Sequence, residues 1–276
     1  MSAAFARPSS NLERVIALGK RDLRVQLSYH FGQLMQLLAI AMPIVTFFYV
    51  SQLVGDDSAL GDYQGGYFEF VLIGLVATTL STLGARLFST MVAREQSEGT
   101  LDALLRTPTP LWVLLAGSTL WPLGFAALEI GVYLGVGAGA LGAGFSASGL
   151  LLALPVALLT VAVFAAIGIF SAAFIVVTKR GEPLGPLVNA ATSLFAGALF
   201  PVALLPGALQ VVGRMLPSYY AIEGLREALL GAGTFASVAD EIAILGVMAA
   251  VLLPLSVWTL SQALRWGRIS GTLASF

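Results

Sequence analysis

The sequence predicts an all-α integral membrane protein: six transmembrane helices, an N-terminal amphipathic interfacial helix, a small helix in a cytosolic loop, and an extracytoplasmic re-entrant helical hairpin before the last span. Three observations predict it. The 276-residue chain is 58% hydrophobic and 11% charged, with a mean hydropathy of +0.90, whereas soluble domains carry roughly 25% charged residues. Six apolar runs, near 31–54, 67–91, 111–140, 150–177, 184–205 and 242–264, match or exceed the ~20 residues that cross a ~30 Å hydrocarbon core. The Lys and Arg residues fall almost wholly on one side of those runs, as positive charge sorts across membranes.

Residues 1 to about 9 read as disordered. Ser10 and Glu13 then form a capping-box pattern. Leu12, Ile16, Gly19, Leu23 and Leu27 follow at helical spacing, with Arg14, Lys20, Arg21, Asp22 and Arg24 largely off that stripe. Such a helix lies along a membrane surface, with Arg14, Arg21 and Arg24 toward the headgroups. The plainer alternative is a solvated face on a helix leading into the first span. The chain thus divides into an N-terminal segment 1–30, a membrane domain 31–268 and a tail 269–276. No small-residue cleavage site follows a short apolar core, so the N-terminus does not read as a cleavable signal.

The first span, 31–54, contains Pro43, a natural kink. The loop Gly55 to Gly66 is acidic and short. On the second span, 67–91, Thr78, Thr82, Ala85 and Ser89 make a small, polar stripe. It is either a helix-packing seam or a face on a pathway. In the third span, 111–140, Gly131, Gly135 and Gly139 recur every fourth residue and permit close approach of another helix. Glu129 in the same span must face protein or water, because an ionisable group in a bilayer costs a few kcal/mol. It is a substrate or proton site, or a neutral, hydrogen-bonded member of the bundle. The fourth span, 150–177, ends at Lys179-Arg180, and the fifth, 184–205, carries Asn189, Thr192 and Ser193 before Pro201 breaks its far end. The candidate pathway residues are therefore Thr78, Thr82, Glu129, Asn189 and Thr192.

Between Pro206 and Gly233 two amphipathic pieces, each too short to span, flank Pro217-Ser218-Tyr219-Tyr220. They predict a re-entrant or interfacial hairpin with its tyrosines at headgroup level. Glu223, Arg226 and Glu227 fall off the apolar stripe of the second piece.

The polar loop from Arg94 to Pro110 separates the second and third spans. Gly99 can end one helix and Thr100 can N-cap the next. Leu101, Leu104 and Leu105 then share a face, and Pro108 stops the turn. This short helix is a capped connector or a docking surface for a soluble partner. Arg7, Arg14, Lys20, Arg21, Arg24, Arg86, Arg94, Arg106, Lys179, Arg180, Arg265 and Arg268 lie on the side that holds both termini and this loop. Only Arg214 and Arg226 lie on the other, so the termini and the loop are expected in the cytoplasm and the hairpin outside.

Several chemistries are excluded. There is no cysteine, so no disulfide, thiolate site or cysteine nucleophile. His30 is the single histidine, and no G-x-x-x-x-G-K-[ST] or G-x-S-x-G pattern occurs. The arginines make no nucleic-acid stripe. No enzyme site and no metal site is expected.

Arg94-Glu95, Glu98-Gly99-Thr100-Leu101, Leu104-Leu105 and Thr107-Pro108 resemble the coupling-helix loop of the ABC type-2 exporter permeases. Leu205-Pro206, Leu216-Pro217 and Ile222-Glu223-Gly224-Leu225-Arg226 are similar to that family's last extracytoplasmic segment. The resemblance implies a permease subunit in the inner (plasma) membrane that pairs with a second permease, identical or homologous, and with a dimer of cytosolic ABC ATPases. ATP and Mg would be bound by the ATPases and no cofactor by this chain. Glu95, Glu98, Gly99, Thr100, Leu101, Leu104, Leu105 and Pro108 would form the ATPase-docking coupling helix. Pro217, Tyr219, Tyr220, Glu223 and Arg226 would belong to the outer hairpin that shapes the exit. The short first loop fits compact exporters of drugs, lipids or lipid-linked glycans. The alternative is a gradient-driven secondary transporter with Glu129 as its proton site.

Overall fold

The computed structural model describes residues 11–28, 30–54, 66–97, 111–140, 145, 147–178, 184–231 and 234–269. Every regular element among them is helical. The elements are α1 (Asn11–Ser28), α2 (His30–Val54), α3 (Tyr67–Leu87), α4 (Ser89–Ser97), α5 (Leu111–Ala140), α6 (Ala147–Thr178), α7 (Leu184–Phe195), α8 (Gly207–Met215), α9 (Pro217–Leu229) and α10 (Phe235–Ile269), with a 3₁₀ turn at Val202–Leu204. Among the described residues, five helical stretches are long and apolar enough to cross a membrane: Leu34–Leu53, Tyr67–Ala93, Thr119–Gly139, Ser148–Thr178 and Phe235–Trp266.

The helix α6 is the centre of the bundle, packed along α10 and α3 and touching α9. Between helices in lipid, close packing rather than transfer from water supplies the contact energy, so small residues mark the crossings. At the α3–α6 crossing a Cβ on Gly168 would stand 2.5 Å from the Ala85 carbonyl oxygen, and one on Gly84 would stand 2.8 Å from that of Val161. Around this seam Val156, Val163, Leu72, Ile73, Ile222, Leu225 and Leu245 are buried together. By contrast α2 stands at the edge, with Leu34, Leu38, Met42, Tyr49 and Leu53 exposed.

Three expectations change. The fifth segment is not a continuous span to Leu205: its helix stops at Phe195, and residues 196–200 bend instead. Gly197 takes φ +86, a left-handed conformation that costs glycine little, and Pro201 (φ −57, ψ 136) cannot donate to an extended helix. Irregular backbone at membrane depth is tolerated only when buried in protein, and here Ala196 and Ala198 are 0% and 1% exposed. The Ala198 carbonyl sits where a side chain at residue 74 would be, which only Gly74 permits.

The glycine stripe of the third span closes on no neighbour among the described residues. A Cβ at Gly131, Gly135 or Gly139 would meet nothing within 4 Å. Glycine allows a close approach but does not supply the helix that makes it. Finally, the two hairpin pieces differ in depth. On α8, Val211, Val212 and Met215 are exposed. On α9, Ala221, Ile222, Leu225, Ala228 and Leu229 are buried against the bundle, so of the re-entrant and interfacial alternatives α9 departs from the interfacial one.

Candidate functional site

A cavity of about 480 Å³ opens between α3, α5 and α7, with Gln36 of α2 at its margin. Thr78, Thr79, Thr82 and Arg86 of α3 and Thr90 of α4 line it along one side. Two of their hydroxyls are held by backbone: Thr78 Oγ1 donates to the Gly74 carbonyl at 2.8 Å, and Thr90 Oγ1 to that of Arg86 at 2.7 Å. From α5 come Glu129 and Tyr133, with Trp121 and Phe125 nearer the other end, and from α7 comes Asn189.

Glu129 is held from two helices. Its Oε1 accepts from Tyr133 OH at 3.0 Å and from Thr79 Oγ1 at 3.2 Å. Tyr133 is 3% exposed, so its ring is fixed in the core while its hydroxyl reaches the cavity. Arg86 lies seven residues beyond Thr79 on α3, ~10 Å along the helix axis. The chamber therefore presents a carboxyl near Thr79 and a guanidinium at Arg86, with the Thr82 hydroxyl, which can donate or accept, between them. It suits a solute with polar groups spread over about that length.

Of the sequence-predicted pathway residues, the structure brings Thr78, Thr82, Glu129 and Asn189 to one cavity. Thr192 is elsewhere: it is buried, and its hydroxyl has no hydrogen-bond partner among the described residues. The stripe of the second span divides in two. Thr78 and Thr82 face the cavity, whereas Ala85 and Ser89 are buried, Ala85 at the α6 crossing. Gln36, Thr79, Arg86 and Tyr133 also line the site. The signal for Tyr133 was its place one turn from Glu129, and that for Arg86 its place one turn from Thr82 and from Thr90.

Glu98, Gly99, Thr100, Leu101, Leu104, Leu105 and Pro108 lie outside the described residues, and Glu95 is on α4 with its side chain outside them. The side chains of Arg14 and Arg21 are likewise outside, while Arg24 is exposed on α1.

In the hairpin, Pro217 opens α9 at a position where its missing N–H is harmless. Tyr219 and Tyr220 meet edge to face at 5.3 Å. Burial pushes the Tyr219 phenol above its ordinary range, Glu223 adds to the shift, and Arg214 opposes it. Arg226 is not on an outer face but 3% exposed. Its Nη2 donates to the carbonyls of Gly197 at 2.8 Å and Phe70 at 3.2 Å, with that of Ala198 at 3.5 Å. The guanidinium lies 3.5 Å from the Phe70 ring centroid, and Nη1 is 3.5 Å from Glu223 Oε1.

A multi-helix membrane body with a polar chamber is the frame of a transporter, and comparison with known proteins says which kind. The family model described as ABC-2 type transporter matches residues 13–230, from α1 through α9. The chain belongs to that family. It is similar to Nodulation protein J of Rhizobium meliloti (strain 1021), 34% identical over 187 residues, which is 65% of this chain and 70% of the relative. The protein of the same name from Rhizobium leguminosarum bv. trifolii is 35% identical over 187 residues, with the same coverage. That from Rhizobium leguminosarum bv. viciae is 31% identical over 190 residues, 66% of this chain and 72% of the relative. As an ABC-2 permease the chain is a multi-pass transport subunit whose partner is an ABC ATPase subunit.

Proposed function

We propose that this ABC-2 permease forms, with a second permease copy or homologue, the export pathway for an amphipathic or hydrophobic substrate: a drug, a lipid or a lipid-linked glycan. The carrying observation is the 480 Å³ chamber that gathers Thr78, Thr82, Glu129 and Asn189 on the walls of an apolar bundle. Hydroxyls and one charge of each sign on its walls suit the polar part of such a cargo, and the apolar exterior of the helices suits its tail. The subunit sits in the inner (plasma) membrane with both termini in the cytoplasm. There Glu95 and the helix from Glu98 to Pro108 take up the movement of a dimer of cytosolic ATPases that bind ATP and Mg. Arg14, Arg21 and Arg24 hold α1 to the headgroups beside that docking point, and the outer hairpin shapes the exit.

The test is co-purification in detergent with a co-expressed cassette ATPase. The ATPase is expected to follow the wild type and to be lost from a Glu98→Arg, Leu101→Asp, Leu104→Asp variant that still inserts. An ATPase that never binds the wild type, or that binds the variant equally, overturns the docking role.

One observation favours a second reading. Glu129, clasped by Tyr133 and Thr79 inside the chamber, has the setting of a proton carrier. A gradient-driven carrier would transport in vesicles free of any ATPase and stop on Glu129→Gln. An ATP-driven exporter keeps transporting after the proton gradient is collapsed.

A further inference from the structure

A second cavity lies on the other side of α5. It is a groove of about 460 Å³ between α1 and α5. Ile16 and Leu23 of α1 form one bank, and Leu120 and Leu128 of α5 form the other. The helices touch where Gly19 meets Leu120: a Cβ there would stand 2.5 Å from Leu120 Cδ1. Past that contact Gly124 keeps the groove open, since a Cβ on it would meet nothing within 4 Å. Lys20 is the one charged residue among the lining residues, and it is exposed.

We infer that this groove binds one acyl chain of an anionic phospholipid, with the phosphate on Lys20. Position supports a lipid. Leu120 and Leu128 both lie on the apolar stretch Thr119–Gly139, so the groove runs along a part of α5 suited to hydrocarbon. From Leu120 to Leu128 it follows α5 for ~12 Å. Charge supports an anionic one. Within α1, Arg14, Lys20, Arg21 and Arg24 outnumber Glu13 and Asp22, and such a surplus attracts acidic headgroups. A lysine also suits the rim, because its stem packs along apolar surface while its ammonium stays at headgroup level. Trp121 and Phe125 line both the groove and the polar chamber, so a chain in the groove backs the chamber wall.

The same tryptophan supplies the assay. Trp112→Phe, Trp258→Phe and Trp266→Phe leave Trp121 as the single tryptophan of the four. This full-length protein is reconstituted in phosphatidylcholine vesicles containing a small, equal fraction of either acyl-brominated phosphatidylglycerol or acyl-brominated phosphatidylcholine. Brominated phosphatidylglycerol is expected to quench Trp121 severalfold more at the same fraction. Lys20→Glu should erase that preference, and Gly124→Leu, which adds its side chain to the open groove, should lower quenching by both lipids. Both positions have room for the change, and helicity by circular dichroism checks that the variants fold. Equal quenching by the two lipids in the Lys20 protein means ordinary boundary lipid and overturns the site. So does a phosphatidylglycerol preference that survives both Lys20→Glu and Gly124→Leu.

Discussion

Arg226 and Glu129 both sit inside the apolar body of this permease, and their surroundings are opposite. Arg226 is enclosed. Its guanidinium is spent on backbone carbonyls from two distant segments, on the Phe70 ring and on Glu223. Glu129 has firm partners on one side, Tyr133 and Thr79, and a chamber on the other. A buried charge with its partners built into the fold acts as architecture, since removing it strands every group it satisfied. A charge that faces open space can change partners, and that is what a transported solute requires. The first ties the start of α3, the break after α7 and the helix α9 into one knot; the second marks a place where the bundle is left unfilled.

The widest separation should come from removing the knot. Arg226→Met keeps bulk and removes the donors, leaving the carbonyls of Phe70 and Gly197 buried without them. Breaking a buried charged network of this kind costs about 3–5 kcal/mol, so little folded protein should survive extraction, and thermal unfolding in detergent measures it. Arg226→Lys should recover only part of the loss, because an ammonium cannot reproduce the planar guanidinium over Phe70. Next is Gly74→Ala, which drives a methyl group into the Ala198 carbonyl. Overpacking costs about 1–3 kcal/mol, and limited proteolysis should then open the chain near residues 196–205 before other sites. If both variants unfold like the wild type, the knot is ornament and the comparison with Glu129 fails.

The contrast also explains what could be read in advance. Long apolar runs revealed the spans because lipid demands them, and Thr78, Thr82 and Glu129 stood out because polar side chains at one level of an apolar helix need a reason. Arg226 was misplaced because the helical stripe of α9 ranks residues by polarity alone. It cannot show that Gly197 and Phe70, 29 and 156 residues away, bring their carbonyls to it. The early end of α7 escaped for the same reason. Gly197 and Pro201 weaken a helix locally, but whether the chain actually bends there depends on Arg226 and on the room left by Gly74.

At the cavity the effects on stability should be smaller and those on function larger. Tyr133→Phe removes one hydrogen bond to Glu129 and should cost about 1 kcal/mol, while substrate stimulation of the partner ATPase falls clearly. Thr82→Val is the mildest change. Thr82 lines the chamber at one turn from Arg86, half-buried, and valine keeps its shape while removing the hydroxyl. Substitutions that break no packed or hydrogen-bonded feature stay within about 0.5 kcal/mol, so the unfolding temperature should barely move. A chamber that meets cargo through its hydroxyls should nonetheless show weaker half-maximal stimulation by substrate. A large loss of stability at Thr82 would instead mean that the chamber is packed as tightly as the Arg226 knot, and that the two charges differ in location but not in kind.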